Sequence, residues 1–114
     1  MKNTWLNPLH HLLDQRATPV SFFFRDDDVG WEHERLLLLL DLFAQQRLPL
    51  DLAVIPQALT PQLAHLLFER VSDSSTTIGL HQHGFAHLNH ENSGRKCEFG
   101  ASRSIDEQRT DITN

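Results

Sequence analysis

The chain has 114 residues, room for one small domain, and its 15 acidic side chains outnumber 10 basic ones, a balance that argues against a nucleic-acid or anionic-membrane partner. A single cysteine, Cys97, excludes an internal disulfide framework and fits a reducing compartment. Residues 1–16 lack the unbroken apolar core of a signal peptide, and the leucine run 36–40 is far too short to cross a bilayer, so a cytoplasmic location is expected.

Asn7-Pro8 opens a short helix that ends near Arg16, with Leu9, Leu12 and Leu13 as its apolar stripe. Thr18-Pro19 breaks the chain before a predicted strand over 20–25, and 26–30 then forms a strand-to-helix loop. A long helix is expected over 31–47, with Leu36, Leu39, Leu40 and Phe43 turned inward. Leu48-Pro49 leads into a second strand over 50–55, apolar almost throughout, as strands buried on both faces are. Thr60-Pro61 repeats the cap-plus-proline signal and starts a helix over 61–70 with Leu63, Leu66 and Leu67 inward. A polar turn at 72–75 precedes a third strand over 76–80. Residues 83–102 read as loop, and 105–112 as a further helix. Strands that alternate with helices predict a parallel α/β sheet with right-handed crossovers.

Two polar clusters stand out against this scaffold. Asp26, Asp27 and Asp28 follow the first strand directly, and their mutual repulsion is relieved by a cation. Four of the eight histidines, His81, His83, His87 and His90, lie within 80–91, after the third strand. Functional residues of parallel α/β sheets gather at the carboxyl ends of the strands, so both clusters belong to one rim. His83 and His87 are four apart, and one helical turn makes their imidazoles face the same way. A carboxylate plus two imidazoles is a ligand set for one zinc-like divalent ion with open positions for water and substrate.

At these residues the chain resembles the polysaccharide deacetylases, the NodB-like carbohydrate esterases. Arg25-Asp26-Asp27-Asp28-Val29 stands where that family has a Thr-Phe-Asp-Asp-Gly-like sequence, and His83-Gly84-Phe85-Ala86-His87 stands where it has His-Ser/Thr-x-x-His. The resemblance implies a distorted (β/α) barrel, a divalent metal, and hydrolysis of N- or O-acetyl groups on a carbohydrate substrate. It also implies that the first motif aspartate is the general base, and that the second aspartate and both motif histidines hold the metal. Asp27 as base and Asp28 as ligand with His83 and His87 lets Val29-Gly30 fill the turn positions that follow; Asp26 with Asp27 is the alternative register. Arg25 replaces a threonine and Gly84 a serine or threonine, which marks a divergent branch.

The later family motifs are absent: an Arg-Pro-aromatic segment and a Leu-x-His that supplies the general acid. Residues 1–114 are therefore expected to be a single partial domain, the N-terminal part of the barrel, with little or no activity of its own. An unclosed sheet of three strands is expected to self-associate through its open edge. His81 and His90 are spare histidines near the ligands, and Arg95, Lys96 and Arg103 are candidates to meet a sugar or an acidic group if they are not simply solvated. Two other classes share these residue types. His81-Gln82-His83 is a His-x-His of the kind found in metal-dependent phosphoesterases and amidohydrolases, and Asp26-x-Asp28 after an apolar strand occurs in haloacid-dehalogenase-like phosphatases. A non-catalytic metal-binding remnant is the third alternative.

Overall fold

The computed structural model describes residues 4–113. A 3-10 turn at Thr4–Leu6 leads into helix α1 (Asn7–Asp14). Strand β1 (Arg25–Val29), helix α2 (His33–Gln46), strand β2 (Leu50–Val54), helix α3 (Pro61–Ser72) and strand β3 (Ile78–Gln82) follow, and helix α4 (Ile105–Thr113) closes the described chain. The sheet is parallel, open and three-stranded, in the order β1-β2-β3. This is the mixed α/β architecture that the alternation of elements predicts. No helix among the described residues is long and apolar enough to cross a membrane.

The middle strand organises the core. Leu50 and Leu52 point to one face of β2, where they pack with Leu36 and Leu40 of α2 and Leu63 and Leu67 of α3. Val29 at the end of β1 joins the same cluster. The leucine run 36–40 is thus a helix whose one side is buried, with Leu38 on the other side 71% exposed. Thr60 caps α3 as its sequence signal indicates, its hydroxyl accepting a hydrogen bond from the Leu63 amide at 3.2 Å. The Asn7 expectation differs in detail. Leu6 occupies the cap of α1 without a side-chain bond, and the helix buries no residue.

Two strands begin later than their apolar runs suggest. Residues 20–24 lie outside β1, with Phe22 and Phe23 exposed, and the three aspartates belong to the strand and not to a loop after it. Likewise β3 starts at Ile78 and takes in His81 and Gln82. The cause is Pro49. The register pairs Arg25 with Asp51 and Leu50 with Ile78, so Pro49 falls opposite Phe23 and Thr77. A proline has no N–H to donate and halts the ladder there. The last bonds before it are Asp51 N–H to the Phe24 carbonyl and Leu50 N–H to the Thr77 carbonyl, each 3.0 Å.

After β1 the chain turns at Gly30, whose φ of 132° and 2.8 Å approach of a would-be Cβ to Ala58 Cβ leave no room for a side chain. The Cα radius of gyration is 18.6 Å, well above the roughly 13 Å of a compact domain of this length. The unburied α1 and the exposed phenylalanines are part of that extension.

This packing separates two apolar substitutions. Leu52→Ala removes a fully buried side chain from the centre of the core, and is expected to lower unfolding stability by roughly 2–5 kcal/mol. Phe23→Ala, at a side chain 82% exposed, is expected to stay within about 0.5 kcal/mol of the wild type. Urea unfolding followed by circular dichroism distinguishes them. A large loss from Phe23→Ala would restore the buried strand over 20–25.

Candidate metal centre

Strand β1 carries an irregularity that places its aspartates. Asp26 pairs with Leu52 and Val29 with Val54, so Asp27 and Asp28 together stand opposite Ala53. Such a bulge lets two neighbouring side chains leave the normal alternation. Asp26 and Val29 lie on the side of the sheet that faces the helices, and Asp27 and Asp28 project from the other face. Asp28 takes a left-handed conformation, φ 61°, which aspartate tolerates better than most residues. In register on that same face run Gly79 and His81 of β3, with His83 next beyond the strand end.

The bulge brings Asp28 onto two histidines. Its Oδ1 lies 3.2 Å from His83 Nε2 and 3.1 Å from His87 Nε2. One ligand atom from each of the three residues lies within 4.8 Å of the others. Two ligands each about 2 Å from a zinc ion at the tetrahedral angle sit about 3.3 Å apart, so the carboxylate-imidazole spacings suit a metal ligand pair. The three side chains are partly exposed, which leaves positions open on the solvent side.

The two imidazoles do not meet through a helical turn. The segment after β3 is irregular, with Gly84 at φ 64° and His87 at φ 56°. The rings are stacked all the same, centroids 4.9 Å apart and 25° between planes. Trp31, just after Gly30, packs against His87 in an edge-to-face arrangement, ring centroids 5.0 Å apart. Backbone bonds tie this segment to β2 and the turn after it: His83 N–H donates to the Val54 carbonyl at 2.7 Å, and Gln57 N–H to the Phe85 carbonyl at 3.0 Å.

The three aspartates sit in three environments. Arg25 grips Asp27 with two contacts, Nε to Oδ1 at 2.7 Å and Nη2 to Oδ2 at 2.9 Å. That hydrogen-bonded guanidinium is the main cause holding the Asp27 carboxyl below the usual carboxylate range, and His83 and His81 act in the same direction. Asp26 is pushed up instead, chiefly by partial burial on the helix side and then by the charges of Asp27 and Asp28. A cleft of about 440 Å³ opens beside them, walled by residues 26–32 and by Arg35, Leu36 and Leu39 of α2, with His83 and His87 outside its walls.

Other sequence candidates lie elsewhere. His81 and His90 are not part of the ligand group. Arg103 is tied to Asp111 at 2.6 Å and lies 5.8 Å from the centre of the Phe99 ring, so it is engaged within the chain and is not a solvated cation. Cys97 Sγ donates to the Phe99 carbonyl at 3.0 Å. Three residues at the site carry no signal in the sequence: Arg25 as partner of Asp27, Trp31 against His87, and Glu98. The Glu98 carboxylate accepts hydrogen bonds from the backbone N–H groups of Phe85, Ala86 and His87. Comparison with protein-family models, with curated proteins and with solved structures returned no match.

The carboxylate environments lead to a measurable split. In the metal-free protein, carboxyl carbon shifts followed by NMR should show Asp27 titrating below, and Asp26 above, the ordinary aspartate range. Arg25→Gln removes the hydrogen-bonded cation, so the Asp27 midpoint is expected to rise. An unmoved Asp27 midpoint in that variant would show that Arg25 does not set it.

Proposed function

We propose that this chain is a metal-dependent deacetylase-like hydrolase that acts on acetyl groups of a carbohydrate, with one zinc-like ion held by Asp28, His83 and His87. The observation that carries the reading is the convergence of both histidine Nε2 atoms on Asp28 Oδ1 from the ends of two non-adjacent strands. The resemblance of the two motifs to the polysaccharide deacetylases supports the same residues in the same roles. His81 of the His-x-His pair stays out of the cluster, which favours this reading over the phosphoesterase one.

When bound, the ion supplies Lewis acidity toward an acyl oxygen and lowers the pKa of a coordinated water. Asp28 and the two histidines hold it; Asp27 beside them accepts a proton at its carboxylate. The grip of Arg25 lowers the Asp27 carboxyl below its ordinary range and fixes its orientation. That grip also weakens it as a base, so its contribution comes from position more than from basicity. The bulge supports the register Asp27 and Asp28 over Asp26 and Asp27, since Asp26 faces the helices. Trp31, 55% exposed in the cleft wall, offers an aromatic surface to the apolar face of a sugar ring.

Calorimetric titration with zinc is expected to show about one ion per chain, and the His83→Ala, His87→Ala double variant to bind none tightly. In a chain extended through the later family motifs, Asp28→Asn should lose metal and acetate release from an N-acetylated sugar oligomer together. Asp27→Asn should keep the metal and lose acetate release. The reverse pattern moves base and ligand to Asp26 and Asp27; an unchanged affinity in the histidine double variant removes the site altogether.

The finer architecture we propose is the N-terminal part of a distorted (β/α) barrel of NodB type. The open three-stranded sheet and the exposed Phe22 and Phe23 support it. Unpaired edges and exposed apolar side chains favour association. Light scattering of the purified 114-residue chain is expected to show oligomers, and a monodisperse monomer would count against an incomplete barrel.

A further inference from the structure

The segment that presents His87 has an unfavourable backbone and almost no regular structure of its own. Gly84 and His87 are both left-handed, and the three residues 85–87 point their N–H groups the same way. A row of successive N–H groups forms a concavity for an anion. Here the anion is a side chain of the protein. Glu98 Oε1 accepts from Ala86 at 2.6 Å and from His87 at 3.1 Å, and Oε2 accepts from Phe85 at 3.1 Å. A Cβ on Gly84 would overlap Oε2, so any larger residue there requires the Glu98 carboxylate to shift, and the left-handed φ of 64° itself favours glycine.

Glu98 is itself anchored from behind. Its carbonyl accepts from Arg103 Nη2 at 3.1 Å, and Arg103 is ion-paired to Asp111 of α4. Gln108 of α4 donates to the Gly100 and Arg103 carbonyls at 2.7 and 2.9 Å. A continuous set of bonds therefore runs from α4 through Arg103 and Glu98 to the backbone of His87, whose ring meets Asp28.

We propose that Glu98 is a positioning residue of the metal centre: its carboxylate holds the 85–87 turn in the one conformation that aims the His87 ring at Asp28. The proposal rests on the metal reading given above. Glu98 is not a ligand, since both of its oxygens are engaged by backbone N–H groups and it lies outside the ligand group. It acts through the geometry of His87, as residues behind metal ligands do.

The test uses the full chain as wild type, Glu98→Ala and Glu98→Gln. Thermal melting reads stability separately, so that a folding defect is recognised. Glu98→Ala is expected to weaken zinc binding about 10–100-fold and to alter the visible spectrum of the cobalt(II)-loaded protein. Glu98→Gln keeps one acceptor oxygen for Ala86 and His87, and is expected to recover affinity over the alanine variant. Hydrogen exchange on the metal-free chain gives the second readout. The amides of Phe85, Ala86 and His87 should be protected in the wild type and unprotected in Glu98→Ala. Unchanged zinc affinity in Glu98→Ala, or equal affinity in the alanine and glutamine variants, overturns the positioning role while the metal reading stands. A wild-type chain that binds no zinc overturns the metal reading and the positioning role with it. Unchanged exchange at the three amides overturns Glu98's hold on the turn whatever the metal does.

Discussion

Between Asp26 and Val29, β1 spends two residues where β2 spends one, and the direction of every carboxylate at the rim follows from that mismatch. Without the extra residue, Asp26 and Asp28 would share the helix-facing side and only Asp27 would point outward. With it, Val29 returns to the core and Asp27 and Asp28 emerge side by side. The bulge can persist because Val29 is fixed in the apolar cluster, and because its carbonyl accepts from Ile55 N–H at 2.9 Å after the irregularity. The strained φ of Asp28 is thus held in place by core packing on one side and by the histidine contacts on the other.

Three adjacent aspartates repel, and each finds a different remedy. Asp26 withdraws toward the helices and becomes harder to ionise. Asp27 takes Arg25, two residues back on the same face of the strand, as a bidentate counter-ion. Asp28 turns to His83 and His87. Arg25 therefore has a local physical meaning: it is a cation standing beside a run of three acidic residues. The pair is exposed, so its effect is on the orientation and charge of Asp27 and hardly on the stability of the fold.

Much of the scaffold was legible in the sequence, because burial periodicity and proline signals act locally. The helix through Leu36 and Leu40, the middle strand and the Thr60-Pro61 cap follow from such signals. The strand starts did not follow, since where a ladder begins depends on the partner strand, and Pro49 lies 26 residues beyond Phe23 in the chain. An apolar run such as 20–24 looks like a strand whether or not anything pairs with it. That the aspartates and the histidines share a rim was legible from strand order; that Asp28 is the aspartate that meets His83 was not, since strand order does not choose among three neighbouring carboxylates. Nor was the way His87 reaches them: a four-residue spacing suggests a helical turn, and the chain uses two left-handed residues instead.

Residues 83–102 look like loose connection because they lack periodicity, yet their polar side chains serve the backbone in place of secondary structure. Asn89 accepts from the Glu91 and Cys97 amides, and Glu91 accepts from Ser102. Glu98 takes three amides at once. Apart from the local Asn89–Glu91 bond, asparagine and glutamate in a polar stretch give no hint of such bonds, because the partners are eight to thirteen residues away. Gly84 is the one position where the arrangement leaves a mark. Its missing Cβ leaves room for the Glu98 carboxylate to reach the amides of residues 85–87. A turn without helix or ladder bonds is thus closed by one carboxylate that supplies acceptors to three successive backbone N–H groups.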